Sequence, residues 1–429
     1  MKNVFVCFVF AFLSALSSCS LSVIQSNENT RFEEERKLTL VIYMAADNDL
    51  ESAALEDLNE MEVAVLDTEV TVLALVDRSL GYDVSDGNWS CSRLYEIKHD
   101  AKGLNRTLVS EQLSCSELGL NLSSDKELDM SKKETLSGLL SYSRRVFPAE
   151  HYALVMWGHG TGWRGLPLES RKMNSTGVRA FAFDDTSGSY MPLCILRQAI
   201  EEGMNGTKLD LIGFDTCFGA ELEVCYELKN CVNFLCGAEG LSPYSGWNYT
   251  RLLQSLSQNG VEDLKVFFKN DVSTETSFSV VSLSHIGELF ASFDSLSTCL
   301  FEYIGSDGDA LKKLIKKTGL LAVPHANSEA YMSIDLFLRE LELLYPHISE
   351  KIHSVQMHLQ SCVQTHAADG HIPLGVYVAD VDASGSFSSQ FPFSYVRGSG
   401  AENQCSFVKD SVGYVPSIDG SGLLGTLFL

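Results

Sequence analysis

Residues 209–221 read LDLIGFDTCFGAE, and residues 153–163 read ALVMWGHGTGW. Each opens as a short apolar run and then breaks into glycines and polar residues. That is the pattern of a buried strand leaving a sheet at its carboxyl end. Outward from these two stretches the same kind of run recurs at LTLVIYMAA (38–46), VTVLALV (70–76), 93–97 and 234–238. Amphipathic segments separate the runs. They predict helices over 50–66, with Asp47, Asn48 and Asp49 available as its cap, over 132–146, stopped by Pro148, and over 193–202 and 219–229. Continuous apolar strands alternating with helices predict an α/β fold, a mostly parallel sheet covered on both faces. The second half is less regular. It predicts a strand over 278–283, helices over 287–304, 309–317 and 335–345, and a late strand over 373–379; the tail from about 384 is rich in Ser and Gly.

Composition narrows the function classes. The chain has 429 residues, and its 45% hydrophobic content supports a large core rather than a disordered chain. Lys and Arg number 32 against 56 Asp and Glu, a net charge of −24 that repels phosphate backbones and anionic lipid. Nucleic acid is therefore not an expected partner, and a membrane is expected only through a lipid anchor. Residues 4–16 form an apolar run behind Lys2, of signal-peptide length and too short to span a bilayer. The run ends Leu16-Ser17-Ser18-Cys19, which resembles a bacterial lipobox with Cys19 as the acylated residue. The expectation is an exported chain, lipid-anchored in the cell envelope or else periplasmic or secreted. Beyond Cys7 and Cys19 there are ten cysteines with no CxxC pair, so no zinc module is expected. Six Asn-x-Ser/Thr sites carry weight only in a eukaryotic secretory pathway, which the lipobox argues against.

Ligands of parallel α/β sheets bind beyond the carboxyl ends of the strands. There this chain offers His159, flanked by Gly158 and Gly160, and Cys217, expected at the N-terminus of a helix. Glycines let the backbone turn tightly and approach a ligand. A helix N-terminus would lower the pKa of the thiol. If neighbouring strands carry the two residues, they form the Cys/His arrangement of nucleophilic catalysis.

The same residues resemble the clostripain family of cysteine endopeptidases, a caspase-like group related to gingipains and legumain. The likeness rests on YMAADNDLE (43–51), WGHGTGW (157–163), FAFDDTSG (181–188), FDTCFGAELE (214–223) and SGWNY (245–249), with weaker matches at SIDLFLREL (333–341) and GVYV (375–378). The resemblance implies a caspase-like three-layer αβα sandwich with C-terminal additions. His159 would be the general base or carbonyl-polarising imidazolium, and Cys217 the nucleophile. Backbone N–H groups of Gly160 and Cys217 would form the oxyanion hole, and no third catalytic residue is implied.

The family typically cleaves after Arg or Lys through acidic groups in the S1 pocket. Asp215 matches one such group. The loop from Glu239 to Trp247 is expected to line the other wall, with a second acid near its Gly-Trp turn, where this chain has Ser245. Some relatives use calcium, for which Asp47, Asp184 and Asp185 are candidate donors; no metal site is assigned. The expected partner is a peptide or protein substrate, and a catalytically silent surface lipoprotein is the rival reading. The expected organisation is a leader (1–19), a linker (20–36), a catalytic core (37–260), a C-terminal α/β part packed on the core (261–383) and an irregular tail (384–429). The basic residues Arg164, Arg171, Lys172 and Arg179 make 164–180 an expected self-cleavage loop.

Overall fold

The structure, a computed structural model, describes residues 35–123, 125–163, 181–256, 259–270, 277–301, 310, 313–314, 317–321, 329–380, 405–406 and 410. These lie in one compact unit, Phe32–Leu429. Cys19, the self-cleavage loop, most of the helix expected over 309–317 and most of the tail fall outside the described residues.

The apolar runs become β1 (Arg36–Ala46), β2 (Val70–Arg78), β3 (Ser92–Glu96), β4 (Glu111–Leu113), β5 (Ala149–Trp157), β8 (Leu209–Asp215), β9 (Val232–Ala238) and β10 (Phe278–Ser282). The short hairpin of β6 (Phe181–Asp184) and β7 (Ser189–Met191) lies between β5 and β8 in the chain. The eight long-range strands form one sheet in the order β10-β9-β8-β5-β1-β2-β3-β4. Its five central strands, β9, β8, β5, β1 and β2, run parallel. The strands beyond them, β3, β4 and β10, are antiparallel to their neighbours. No helix separates β2 from β3, and a connection without a crossover returns the chain antiparallel. The sheet takes β10 from beyond residue 260.

Nine helices flank the strands among the described residues: α1 (Glu51–Val63), α2 (Lys133–Val146), α3 (Leu193–Gly203), α4 (Leu222–Leu228), α5 (Tyr249–Ser255), α6 (Val261–Asn270), α7 (Ile286–Phe301), α8 (Ile334–Leu344) and α9 (Ser349–Cys362). The period of two along β1 sorts them into layers. Leu38, Leu40, Ile42 and Met44 pack into a core with α1, α5 and α6. Val41, Tyr43 and Ala45 face the opposite core, which holds the apolar sides of α2, α3, α4, α7, α8 and α9. The result is the expected three-layer, caspase-like α/β sandwich.

A second antiparallel sheet contains β11 (Gly319–Leu321), β12 (Glu329–Ser333) and β13 (Gly375–Asp380), in that order. Among the described residues no disulfide joins two cysteines. Among the described residues no helix is long and apolar enough to cross a membrane.

Candidate active site

Strands β5 and β8 are parallel neighbours, and their register aligns Met156 with Phe214 and Trp157 with Asp215. His159 and Cys217 each follow the last aligned residue by two positions. The shared end of the sheet therefore brings the two expected residues into adjoining loops. Gly158, at φ +132°, donates its N–H to the Asp215 carbonyl at 3.3 Å. A Cβ on Gly160 would lie 2.5 Å from Thr216 Oγ1 and 2.8 Å from the Cys217 carbonyl oxygen. Only glycine lets the two loops touch there.

The thiol is not at a helix N-terminus. Helix α4 starts at Leu222, so Cys217 sits in a turn five residues earlier. That turn is sharpened by Phe218, a non-glycine residue at φ +54° whose N–H donates to the Gly240 carbonyl at 2.7 Å. Ser242 donates its backbone N–H to Cys217 Sγ at 3.3 Å. The expected lowering of the thiol pKa is reversed: burial pushes it up, Asp215 adds to the rise, and the Ser242 N–H opposes it.

His159 is exposed, and its Nε2 lies 2.6 Å from Asp49 Oδ1, with the Phe183 ring edge-on at 6.2 Å. Asp49 is therefore a third group at the site. Sequence reading gave it to the cap of α1, but Leu50 occupies the cap and makes no side-chain cap bond.

Two side chains fasten the loops together. Buried Tyr331 of β12 stacks on Phe218 at 4.4 Å and donates its hydroxyl to the Thr161 carbonyl. Buried Glu221 accepts the Trp163 N–H at 3.3 Å, and its carboxylate fills the space where a Gly162 Cβ would stand.

Beneath Cys217 is a buried group of acids. Asp215 accepts bonds from the Trp247 N–H at 3.3 Å and the Tyr249 hydroxyl at 3.0 Å. Its carboxyl is pushed up to about 7, chiefly by burial, with Glu60 contributing. Asp57 of α1, held by Trp157 Nε1 at 2.6 Å, is also pushed well up by burial and by the charge of Asp215. A Cβ on Gly246 would lie 3.0 Å from Asp215 Oδ2 and 3.4 Å from Asp57 Oδ2. A second carboxylate thus lies under the Gly-Trp turn, but it comes from α1 and not from the loop, where the sequence has Ser245. Sequence carried no signal for it, because Asp57 reads as one more polar residue on a helix.

The other expected wall residues separate. Ser245 is exposed. The Trp247 side chain is core, packed over Gly213 and 4.6 Å from the Phe268 ring, and only its backbone N–H reaches Asp215. Glu239 is corrected from pocket wall to internal tie. It is fully buried, and its carboxylate accepts from the Leu374 N–H at 3.1 Å and pairs with His371 Nε2 at 2.9 Å.

Two of the expected oxygen donors, Asp47 and Asp184, converge with Asp77 and Glu127. Asp185 lies outside that group and donates its N–H to the Asp47 carbonyl at 2.9 Å. Burial and the neighbouring carboxylates raise Asp77 to about 9 and Glu127 to about 7.

The family model described as Clostripain family matches residues 42–366. Clostripain of Hathewaya histolytica is 29% identical over 214 residues, a match covering 48% of this chain and 38% of that protein. The chain therefore spans less than half the length of this curated relative. Among solved structures, an inactive zymogen C11 protease from Parabacteroides distasonis superposes with a TM-score of 0.58 at 18% identity, covering 88% of this chain and 99% of that one. A secreted C11 cysteine protease from Bacteroides thetaiotaomicron, in complex with an irreversible peptide inhibitor, gives 0.55 at 16% identity over 87% and 98%. At such identities these two likenesses speak for the fold.

Proposed function

The chain belongs to the clostripain family, and on that footing we propose that it is an exported cysteine endopeptidase cutting peptide bonds after arginine or lysine. The observation that carries this reading is the β5/β8 register, which offers His159 and Cys217 from equivalent positions on adjacent strands. In the proposed reaction Cys217 Sγ attacks the scissile carbonyl carbon while the thiol proton passes to His159. The N–H groups of Gly160 and Cys217 hold the oxyanion. The C–N bond then breaks, and His159 protonates the leaving amine. Water, giving its proton to His159, attacks the thioester; the C–S bond breaks and the thiol re-forms. Because burial raises the thiol pKa, proton transfer accompanies attack rather than preceding it.

Asp215 supplies the negative charge for a basic side chain, and Asp57, held uncharged by burial and by Asp215, lies beside it under the Gly246 turn. The test uses two irreversible thiol-directed peptide probes that differ only in carrying arginine or norleucine at the cleaved position. The arginine probe should label Cys217 much faster, and Cys217→Ala and His159→Ala should each lose at least about a thousandfold in kcat/KM. Equal rates with both probes would remove the basic specificity, and labelling of another cysteine would remove the nucleophile. Export and anchoring are tested separately. Mass spectrometry of the envelope fraction should find an acylated N-terminal Cys19, and an unmodified start elsewhere rejects the anchor.

A further inference from the structure

The loop that follows β2 leaves the sheet at the level of His159. Arg78, the last residue of β2, is aligned with Ala46, two residues past Met44. Met44 is aligned with Trp157, and His159 lies two residues past Trp157. Cys217, His159, Asp49 and residues 79–90 thus follow four consecutive strands, in the sheet order β8, β5, β1, β2.

The loop is tied to the segment that meets the imidazole. Buried Arg78 pairs through Nε with buried Glu51 Oε1 at 2.7 Å, and it donates to the carbonyls of Asp83 at 3.1 Å and Ser85 at 3.3 Å. Glu51 Oε2 accepts the Asp83 N–H at 2.8 Å, and Asp83 Oδ2 accepts the Ser52 hydroxyl at 3.1 Å. Glu51 stands two residues after Asp49, whose carboxylate meets His159. Farther along, the buried Trp89 ring lies 4.5 Å from the Arg78 guanidinium and 4.3 Å from that of Arg93. Between these ties the loop exposes apolar side chains: Leu80 is 72% exposed, Tyr82 53% and Val84 76%. One exposed apolar side chain is ordinary, but three at alternate positions of a fastened loop keep apolar surface in water beside a reactive centre.

The chemistry of that centre says what passes there. In the proposed reaction the acyl half of the substrate stays on Cys217, and His159 protonates the amine of the departing half. The departing half therefore lies on the histidine side of the thiol, and beyond β5 in that direction come β1 and β2. Three strand spacings of about 4.8 Å separate β8 from β2, a distance of about 14 Å that an extended chain crosses in about four residues. We propose that Leu80, Tyr82 and Val84 form an apolar subsite for the departing half of a polypeptide substrate, about four residues beyond the cleaved bond. The subsite rests on the proteolytic reading.

The test uses three substrates that are identical up to and including the cleaved arginine. One ends there as a fluorogenic amide. Two are longer peptides that carry either a Leu-Leu or a Ser-Ser pair at the fourth and fifth positions after the bond. With the wild type, kcat/KM should be about tenfold higher for the leucine peptide, the gain from partly burying two such side chains. In the triple variant Leu80→Ser, Tyr82→Ser, Val84→Ser the two peptides should become equal. Equal values with the wild type, or a preference that survives the triple substitution, would overturn the subsite. So would a preference that persists when the leucine pair is moved to the first two positions. The fluorogenic amide separates the two readings: its hydrolysis by the wild type in any of these cases leaves proteolysis standing and removes only the subsite. A wild type that cleaves none of the three substrates removes the proteolytic reading, and the subsite falls with it.

Discussion

Under the proposed preference for basic residues, Asp215 ties specificity to pH. Its carboxyl titrates near 7 because it is buried, so at mildly acid pH it is neutral and offers no charge to a cationic side chain. An acid with a raised pKa is protonated below that value and ionised above it. Preference for arginine should therefore grow as pH rises through about 7. The readout is the ratio of kcat/KM for an arginine peptide to that for its citrulline analogue, in which the pH dependence of the cleavage step itself cancels. Asp215→Asn should flatten the profile and lower the ratio at pH 8 by about 2 kcal/mol or more, roughly thirtyfold. Asp57→Asn should change the ratio far less, because burial and the charge of Asp215 hold Asp57 uncharged where Asp215 ionises. A ratio insensitive to pH and to Asp215→Asn would mean the pair is structural.

At the scale of elements, the site depends on two strand-end loops held in contact. Gly160→Ala puts a methyl group 2.5 Å from Thr216 Oγ1, and the histidine loop must move away. A displacement near 1 Å costs about a hundredfold in rate, so kcat should fall by at least that much while circular dichroism stays unchanged. Tyr331→Phe keeps the stack on Phe218 but loses the bond to the Thr161 carbonyl, leaving a stability loss of about 1 kcal/mol in urea melts. The same elements show what was legible in sequence. β1, β2, β5, β8 and β9 stood out because strands buried on both faces are continuous apolar runs, and the chemistry at 159 and 217 stood out because those runs stop at glycine. Helix α5 was invisible, since seven residues are too few for a helical period to emerge. α9 was blurred because exposed Met357 interrupts the contrast between its faces. The pattern predicts α4 from 219, three residues before Leu222, and so places the thiol at a helix terminus. Asp57 and Asp49 were unreadable as site residues: their partners Trp157 and His159 lie 100 and 110 residues away.

At the scale of the whole molecule, the end of the main sheet that carries His159 and Cys217 is joined to the second sheet through a buried ion pair. His371 Nε2 meets Glu239 Oε2 at 2.9 Å, its Nδ1 bonds Asp369, and the His371 and Glu239 side chains are 4% and 0% exposed. Next to the pair, Leu374 donates its N–H to Glu239, Ile372 donates to Asp335 Oδ2, and Gly375 donates to the Ala220 carbonyl behind the Cys217 turn. Burial alone would lower the imidazole pKa, but the two carboxylates outweigh it and raise it from 6.5 to about 9. A base whose folded pKa exceeds its unfolded value stabilises the fold fully below the unfolded pKa. It loses that contribution as pH rises through the folded one. The window is therefore pH 6.5 to about 9, and the upper limit is about 3 kcal/mol at about 1.4 kcal/mol per pKa unit. Asp77, pushed up to about 9, titrates in the same range, but equally in both proteins, so the comparison is between slopes. Wild-type stability should fall across the window more steeply than that of His371→Gln, which starts lower. The slope is the decisive quantity, because the substitution weakens the tie at every pH. Parallel slopes would show that the imidazole is not charged in the folded protein, and the link between the two sheets would then rest on the backbone bonds of 372, 374 and 375.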